Sequence, residues 1–188
     1  MVLAAAEPSS IRVLAAVLAT GGVAAIPCDT IYGLVGIDPD AEARIRLLKG
    51  RDEGKPFLRL VPDVSWILRL TGREAPPRLA RHWPGPLTLV LPAERGGTLA
   101  LRVPAAEWLR GLIAELDRPL LSTSVNRSGG PALWRTVDIV REFGGRVDLV
   151  LDGGDLPDAE PSTIVDATAR PFRITRAGAL TLSEEDLV

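Results

Sequence analysis

Cysteine and histidine are nearly absent from this chain of 188 residues, with one of each, Cys28 and His82. A single cysteine cannot close an internal disulfide, and one Cys and one His cannot build a structural zinc site. His82, in Arg-His-Trp-Pro, has no serine-base arrangement around it and reads as structural. Aromatic residues make up only 4% of the chain, and none lies in the loop from Lys49 to Pro56, so base stacking on a nucleic acid has little to work with. Long apolar runs are lacking too. Ser9 to Thr20 is far too short to span a bilayer, and no basic region precedes it, which predicts no membrane association and a cytoplasmic protein.

Lysine is the most telling scarcity. It occurs at Lys49 and Lys55 only, both in Lys49-Gly50-Arg51-Asp52-Glu53-Gly54-Lys55-Pro56, while the other cations are arginine. Compact ammonium groups beside a planar guanidinium, punctuated by glycine, suit the grip of an anion such as phosphate. The net charge is −2, so the whole surface does not attract polyanions. Locally, Arg44, Arg46, Lys49, Arg51, Lys55 and Arg59 outweigh Glu42, Asp52 and Glu53, and this stretch is where an anion would be drawn.

What is present reads as a mixed α/β (α+β) protein forming one domain over residues 1–188. Ser9 or Ser10 is expected to cap a helix with Ile11, Leu14, Ala15 and Leu18 on its apolar face, ended by Gly21-Gly22. Further helices are expected from Asp40 to Gly50, Asp63 to Leu70, Pro104 to Leu116 and Thr136 to Phe143. Strands are expected over Val23–Ile26, Phe57–Val61, Leu87–Leu91, Leu99–Val103, Pro119–Thr123, Val147–Leu151, Ser162–Asp166 and Phe172–Thr175. Asp152 to Pro161 reads as a long surface loop.

Six polar clusters fall near strand ends, where open α/β sheets tend to bind ligands. They are Pro27-Cys-Asp-Thr30-Ile-Tyr-Gly-Leu34, the lysine–arginine loop, Thr98-Leu-Ala-Leu-Arg102, Ser122-Thr-Ser124-Val-Asn126-Arg-Ser-Gly-Gly130, Pro161-Ser162-Thr-Ile-Val-Asp166 and Arg176. Alternation places Thr98, Ala100 and Arg102 on one face of a strand. Each cluster alone could be a turn bonded to its own backbone. Neither a Walker loop nor a Rossmann glycine fingerprint is present.

Together and in order, these segments, with Trp83-Pro-Gly-Pro-Leu-Thr-Leu and Leu-Arg-Val-Pro, resemble the YrdC-like family, which comprises the threonylcarbamoyl-AMP synthases of tRNA modification. The resemblance runs from about Ile11 to Gly178 and is to the short single-domain form. It implies a twisted mixed parallel and antiparallel sheet, flanked by helices, around a large positively charged cavity. It implies condensation of L-threonine, bicarbonate and ATP with release of pyrophosphate, by nucleotidyl transfer, with Mg²⁺ carried mainly by ATP oxygens and water.

Position by position, the resemblance implies catalytic roles for Lys49, Arg51, Ser124 and Asn126. It implies ATP contacts for Arg51, Lys55, Thr98, Ser124 and Arg176, and threonine contacts for Thr30, Arg102 and Ser162. No residue is expected to ligate a metal directly. Proteins that pass the threonylcarbamoyl group to tRNA are the expected partners, and direct binding of tRNA or double-stranded RNA is the alternative reading, as is a paralogue with another amino-acid specificity. Three positions depart from the family pattern: Cys28 in place of a threonine, Leu60 where a polar group can face threonine, and Ala132 where a serine can lie near ATP.

Overall fold

The computed structural model describes residues 1–51 and 56–188. Among the described residues, ten strands form one sheet: β1 (Val2–Ala4), β2 (Ala24–Pro27), β3 (Tyr32–Gly36), β4 (Leu58–Leu60), β5 (Leu87–Pro92), β6 (Thr98–Arg102), β7 (Leu120–Ser124), β8 (Leu149–Asp152), β9 (Thr163–Asp166) and β10 (Arg173–Arg176). Their order is β1-β8-β2-β3-β7-β4-β6-β5-β9-β10. The pairs β1–β8, β2–β8, β4–β6 and β5–β9 are parallel, and the remaining neighbours are antiparallel. The helices are α1 (Pro8–Ala19), α2 (Asp40–Lys49), α3 (Ser65–Thr71), α4 (Pro77–Ala80), α5 (Glu107–Leu116) and α6 (Thr136–Phe143).

Three apolar clusters hold these layers together. Along β2 the side chains alternate between two of them. Val23 and Ala25 meet Ile45 of α2 and Phe143 of α6, whereas Ala24 and Ile26 meet Leu14 of α1 and Ile113 of α5. Both sheet faces are thus covered, and β2 reads as an unbroken apolar run because neither face meets water. The third cluster packs Trp66, Ile67, Leu79 and Trp83 on Leu89 and Leu101 of the β5–β6 ribbon.

Several local expectations are corrected. α1 begins at Pro8 after extended Glu7, with no side-chain cap, and Ser10 is buried within the helix. Proline's fixed φ suits the first helical position and moves the start upstream of the serines. The helix expected from Pro104 starts at Glu107, after extended Ala106. α2 runs from Asp40, with acidic residues in its first turn, Arg46 and Lys49 in its last, and a left-handed Gly50 as its C-cap. β3 was not expected from the sequence. Its two glycines weaken a strand signal, yet a Cβ at Gly33 would stand 2.9 Å from Ser122 Oγ and 3.2 Å from Cys28 Sγ, so the close approach of β7 uses the missing side chain. β1 is only three residues long and pairs at the sheet edge with β8, too short to show a pattern.

Candidate functional site

A cavity of about 370 Å³ opens over one face of the sheet. Its floor is a row of paired residues across four strands: Ser122 of β7 opposite Leu58 of β4, Leu58 opposite Ala100 of β6, and Ala100 opposite Val90 of β5. The neighbouring residues Leu121, Leu101 and Leu89 point the other way, into the cores. Ser122 and Ala100 in this row are small and leave space that larger residues would fill.

The site therefore lies on the sheet face, and not at a row of strand C-termini. In a mixed sheet with antiparallel neighbours, the C-terminal ends do not gather on one edge, so the rule for parallel sheets does not apply. Among the described residues, the lining includes Arg51, Arg102 and Arg176, several hydroxyls, and no carboxylate. This charge balance favours an anionic ligand.

Arg102 is the most deeply set of these cations, only 3% exposed at the end of β6. Its Nε donates to the Gly85 carbonyl at 3.0 Å and its Nη1 to Thr30 Oγ1 at 2.9 Å. The carbonyl comes from the Trp83-Pro-Gly motif, whose backbone is held by Gly85 N donating to the Val103 carbonyl. A Cβ at Gly85 would meet the His82 carbonyl at 2.5 Å, so this bracket requires glycine. Nη2 lies 2.6 Å from Asp29 Oδ2, within ion-pair range, yet it makes no aligned hydrogen bond. A guanidinium fixed at a cavity wall suits a carboxylate or phosphate oxygen.

Ser162 is buried beside it, at the entry to β9. Its Oγ lies 2.8 Å from Thr88 Oγ1 and 3.2 Å from Arg176 Nη2, and its carbonyl accepts from both Nε and Nη2 of Arg176. Burial, and then the like charge of Arg102, lower the pKa of Arg176. Gly178 packs over this segment so closely that a Cβ would come within 2.1 Å of the Pro161 carbonyl.

On the opposite wall, Arg51 donates to Thr123 Oγ1 at 3.3 Å and to the Pro56 carbonyl at 3.0 Å, and stacks 4.7 Å from the centroid of Phe57. Its Nε is buried without a hydrogen bond. Burial, then the Arg46 charge, lower its pKa, which matches a site prepared for negative charge.

Lys49 is placed differently from Arg51. Its buried ammonium donates to the Ser124 carbonyl at 2.5 Å, the Asn126 carbonyl at 2.9 Å and Asn126 Oδ1 at 2.8 Å. Burial, followed by the Arg51 charge, pushes its pKa down to about 8. Asn126 is engaged on both ends of its amide, accepting also from Ser124 Oγ at 2.6 Å and donating to the Gly130 carbonyl at 2.6 Å. Lys49 and Asn126 thus hold the shape of the 124–130 loop and do not line the cavity, whereas Ser124 does.

Thr30, Arg51, Arg102, Ser124, Ser162 and Arg176 are brought to one cavity from distant parts of the chain. Thr98 is not brought there: it is exposed at the outer end of β6, opposite Pro92. Lys55 lies outside the described residues. Leu60 is 1% exposed in the core against α1 and α5, so it presents nothing to the cavity. Ala132 is partly buried and also outside the lining.

Residues to which the sequence assigned no role also shape the site: Thr88, Thr123 and Phe57 in the lining, and Asp29 and Gly85 against Arg102. Asp29, Gly85, Thr88 and Thr123 stood inside the quoted motifs, so that signal was available. Cys28 lines the cavity as a thiol whose pKa burial pushes up to about 12. His82 lies apart, 3.1 Å from the buried Asp186, in keeping with a structural role.

Fold and cavity define an α/β protein with a cavity between arginines on one face of a mixed sheet, a setting that favours a small anionic ligand. Residues 16–178 match the model of the Sua5, YciO and YrdC proteins, described as "Telomere recombination". The chain belongs to this family.

It is 34% identical over 197 residues to a threonylcarbamoyl-AMP synthase of Pyrococcus abyssi, with 97% of this chain and 58% of that protein aligned. A threonylcarbamoyl-AMP synthase of Nitrosococcus oceani is 38% identical over 172 residues, covering 83% of this chain and 92% of the relative. The crystal structure of P. abyssi Sua5 complexed with L-threonine superposes with a TM-score of 0.85 at 31% identity, over 95% of this chain and 57% of that one. The chain thus spans little more than half the length of the P. abyssi protein and nearly all of the shorter relative.

Proposed function

We propose that this chain is an L-threonylcarbamoyladenylate synthase, a nucleotidyltransferase that joins L-threonine, bicarbonate or CO₂, and ATP with release of pyrophosphate. The observation that carries this reading is Arg102, a guanidinium held rigidly in the wall of a cavity whose described lining holds no carboxylate. The names of the relatives and the L-threonine bound by P. abyssi Sua5 support it.

In this reading the threonine carboxylate meets Arg102, with Thr30 and Ser162 beside it. The amine adds to CO₂, losing a proton to form a carbamate. A carbamate oxygen then attacks the α-phosphorus of ATP, and the bond from that phosphorus to the β-phosphate oxygen breaks as pyrophosphate leaves. No side chain needs to form a covalent intermediate. The protein's contribution is positioning of the reactants and fixed positive charge along the phosphates. Arg51 and Arg176 would supply that charge, joined by Lys55 from the neighbouring segment.

Mg²⁺ would be held by phosphate oxygens and water, because the cavity offers guanidinium and hydroxyl groups where a protein-held ion needs carboxylates. The ten strands in one sheet support reading residues 1–188 as one domain. No helix among the described residues is long and apolar enough to cross a membrane, in keeping with the proposal that the enzyme acts in the cytoplasm. There it would supply the labile adenylate to proteins that modify tRNA.

Pyrophosphate release from ATP, measured with and without L-threonine and bicarbonate, tests the proposal. Release that requires both is expected. Equal release with serine, alanine or no amino acid would point to another acceptor. Binding of tRNA with steep salt dependence and no pyrophosphate release would favour the RNA-binding alternative.

A further inference from the structure

Arg102 is held along three edges, and only two of its holders, Gly85 and Thr30, do so with aligned hydrogen bonds. The third is Asp29, whose side chain is only 10% exposed and which lies outside the cavity lining. Asp29 Oδ2 is 2.6 Å from Arg102 Nη2 and also accepts the Ala105 backbone N–H at 2.8 Å. Ala105 follows β6 three residues after Arg102, so the carboxylate is anchored to the same segment that carries the arginine. Asp29 Oδ1 is buried without a hydrogen bond.

A hydrogen-bonded carboxylate was not required here to tie the loop to the sheet, because a neutral acceptor could take the Ala105 N–H equally well. What the charge adds is a fixed counter-ion for a cation shielded from water. The 2.6 Å contact between Asp29 Oδ2 and Nη2 sets the guanidinium plane at the cavity wall.

Resting on the threonine-binding reading above, we propose that Asp29 is a positioning residue: it presets the Arg102 fork so that the α-carboxylate of the amino acid docks on it without reorganisation. Asp29 touches no substrate in this arrangement and acts through Arg102. The energetic benefit belongs to preorganisation, which lowers the cost of binding and need not add a contact.

The test measures binding of L-threonine and of ATP by calorimetry on the full chain, for the wild type, Asp29→Asn and Asp29→Glu. Asp29→Asn keeps the shape and an acceptor for Ala105 but removes the charge. Asp29→Glu keeps the charge and shifts it by one methylene. The expected result is weaker threonine binding in both, by about tenfold or more in Asp29→Asn, which is about 1.4 kcal/mol, with ATP affinity changed less than about twofold. A purely structural role would weaken both ligands together.

Threonine affinity in folded Asp29→Asn equal to or tighter than wild type would overturn the proposal, since the carboxylate would then be a competitor for Arg102. If Asp29→Asn fails to fold, Asp29→Glu decides, and wild-type threonine affinity in it overturns positioning in favour of simple charge balance. Failure of both variants to fold would make Asp29 a stability element and likewise refute the assignment. Absence of threonine binding in the wild type would instead remove the functional reading on which this rests.

Discussion

Replacing Arg102 by lysine keeps one positive charge and removes the fork. In the native arrangement Nε and Nη1 are spent on Gly85 and Thr30 and Nη2 stands 2.6 Å from Asp29 Oδ2, so one planar group meets three partners while lining the cavity. An ammonium cannot satisfy the Gly85 carbonyl and Thr30 while also facing a carboxylate, because its donors radiate from a single atom. Loss of one charge-assisted hydrogen bond to the threonine carboxylate costs about 1.5–3 kcal/mol, or about a 10- to 150-fold rise in the threonine KM.

A second effect concerns the fold. If the Gly85 carbonyl is left without a donor, about 1–3 kcal/mol of stability is lost, and at about 2–4 °C per kcal/mol the melting temperature falls by about 2–12 °C. The assay is pyrophosphate release, with threonine titrated at saturating ATP and ATP titrated at saturating threonine, alongside a thermal melt. A rise in threonine KM with ATP KM within about twofold is expected. A lowered melting temperature with unchanged threonine dependence would refute the role of Arg102 in the site and leave it a structural ion.

Arg51→Ala should raise the ATP KM by about tenfold or more, through loss of a charge-assisted contact worth about 1.5–3 kcal/mol, with a smaller change for threonine; equal ATP affinity by calorimetry would exclude it from the phosphate site. Cys28, the single cysteine, should react at least a hundredfold more slowly with an alkylating reagent at pH 8 in the native protein than in denaturant, because burial pushes its pKa up to about 12 and suppresses the thiolate; mass spectrometry of the alkylated chain follows this directly. Gly178→Ala should cost about 1–3 kcal/mol in a denaturant titration and impair threonine turnover, since its Cβ would collide with the Pro161 and Ser162 backbone. Asp186 is held well below the usual carboxylate range, first by His82 and then by Ser183, so its stabilisation is present above about pH 4 and is lost as pH falls toward the depressed value. Asp186→Asn should therefore be less stable than wild type at pH 7, by about 1–3 kcal/mol, with a difference that narrows in acid; a constant difference from pH 7 to pH 2 would refute this.

Much of the organisation is legible in the chain alone because it is local. The alternation of apolar residues in β5 and β6, the i, i+4, i+7 burial of Ala41, Ile45 and Leu48 in α2, and the glycine after Lys49 are determined by near neighbours in sequence. The ordered motifs likewise mark which segments meet at the cavity, since hydroxyls, arginines and glycines cluster where backbone and side chains face a ligand.

The sequence alone did not determine which way each polar group is turned. Lys49 and Arg51 are two residues apart and chemically alike on paper, yet the C-terminal turn of α2 buries the ammonium against the 124–130 loop and leaves the guanidinium on the cavity wall. Thr98 and Arg102 share a strand, but only the end at Arg102 lies under the loops that close the site. Asp29 reads as one more turn residue until the sheet brings β6 beside it, across more than seventy positions of sequence. Cross-strand register and loop closure decide these outcomes. They depend on which residues become neighbours through space, a property that local spacing does not contain.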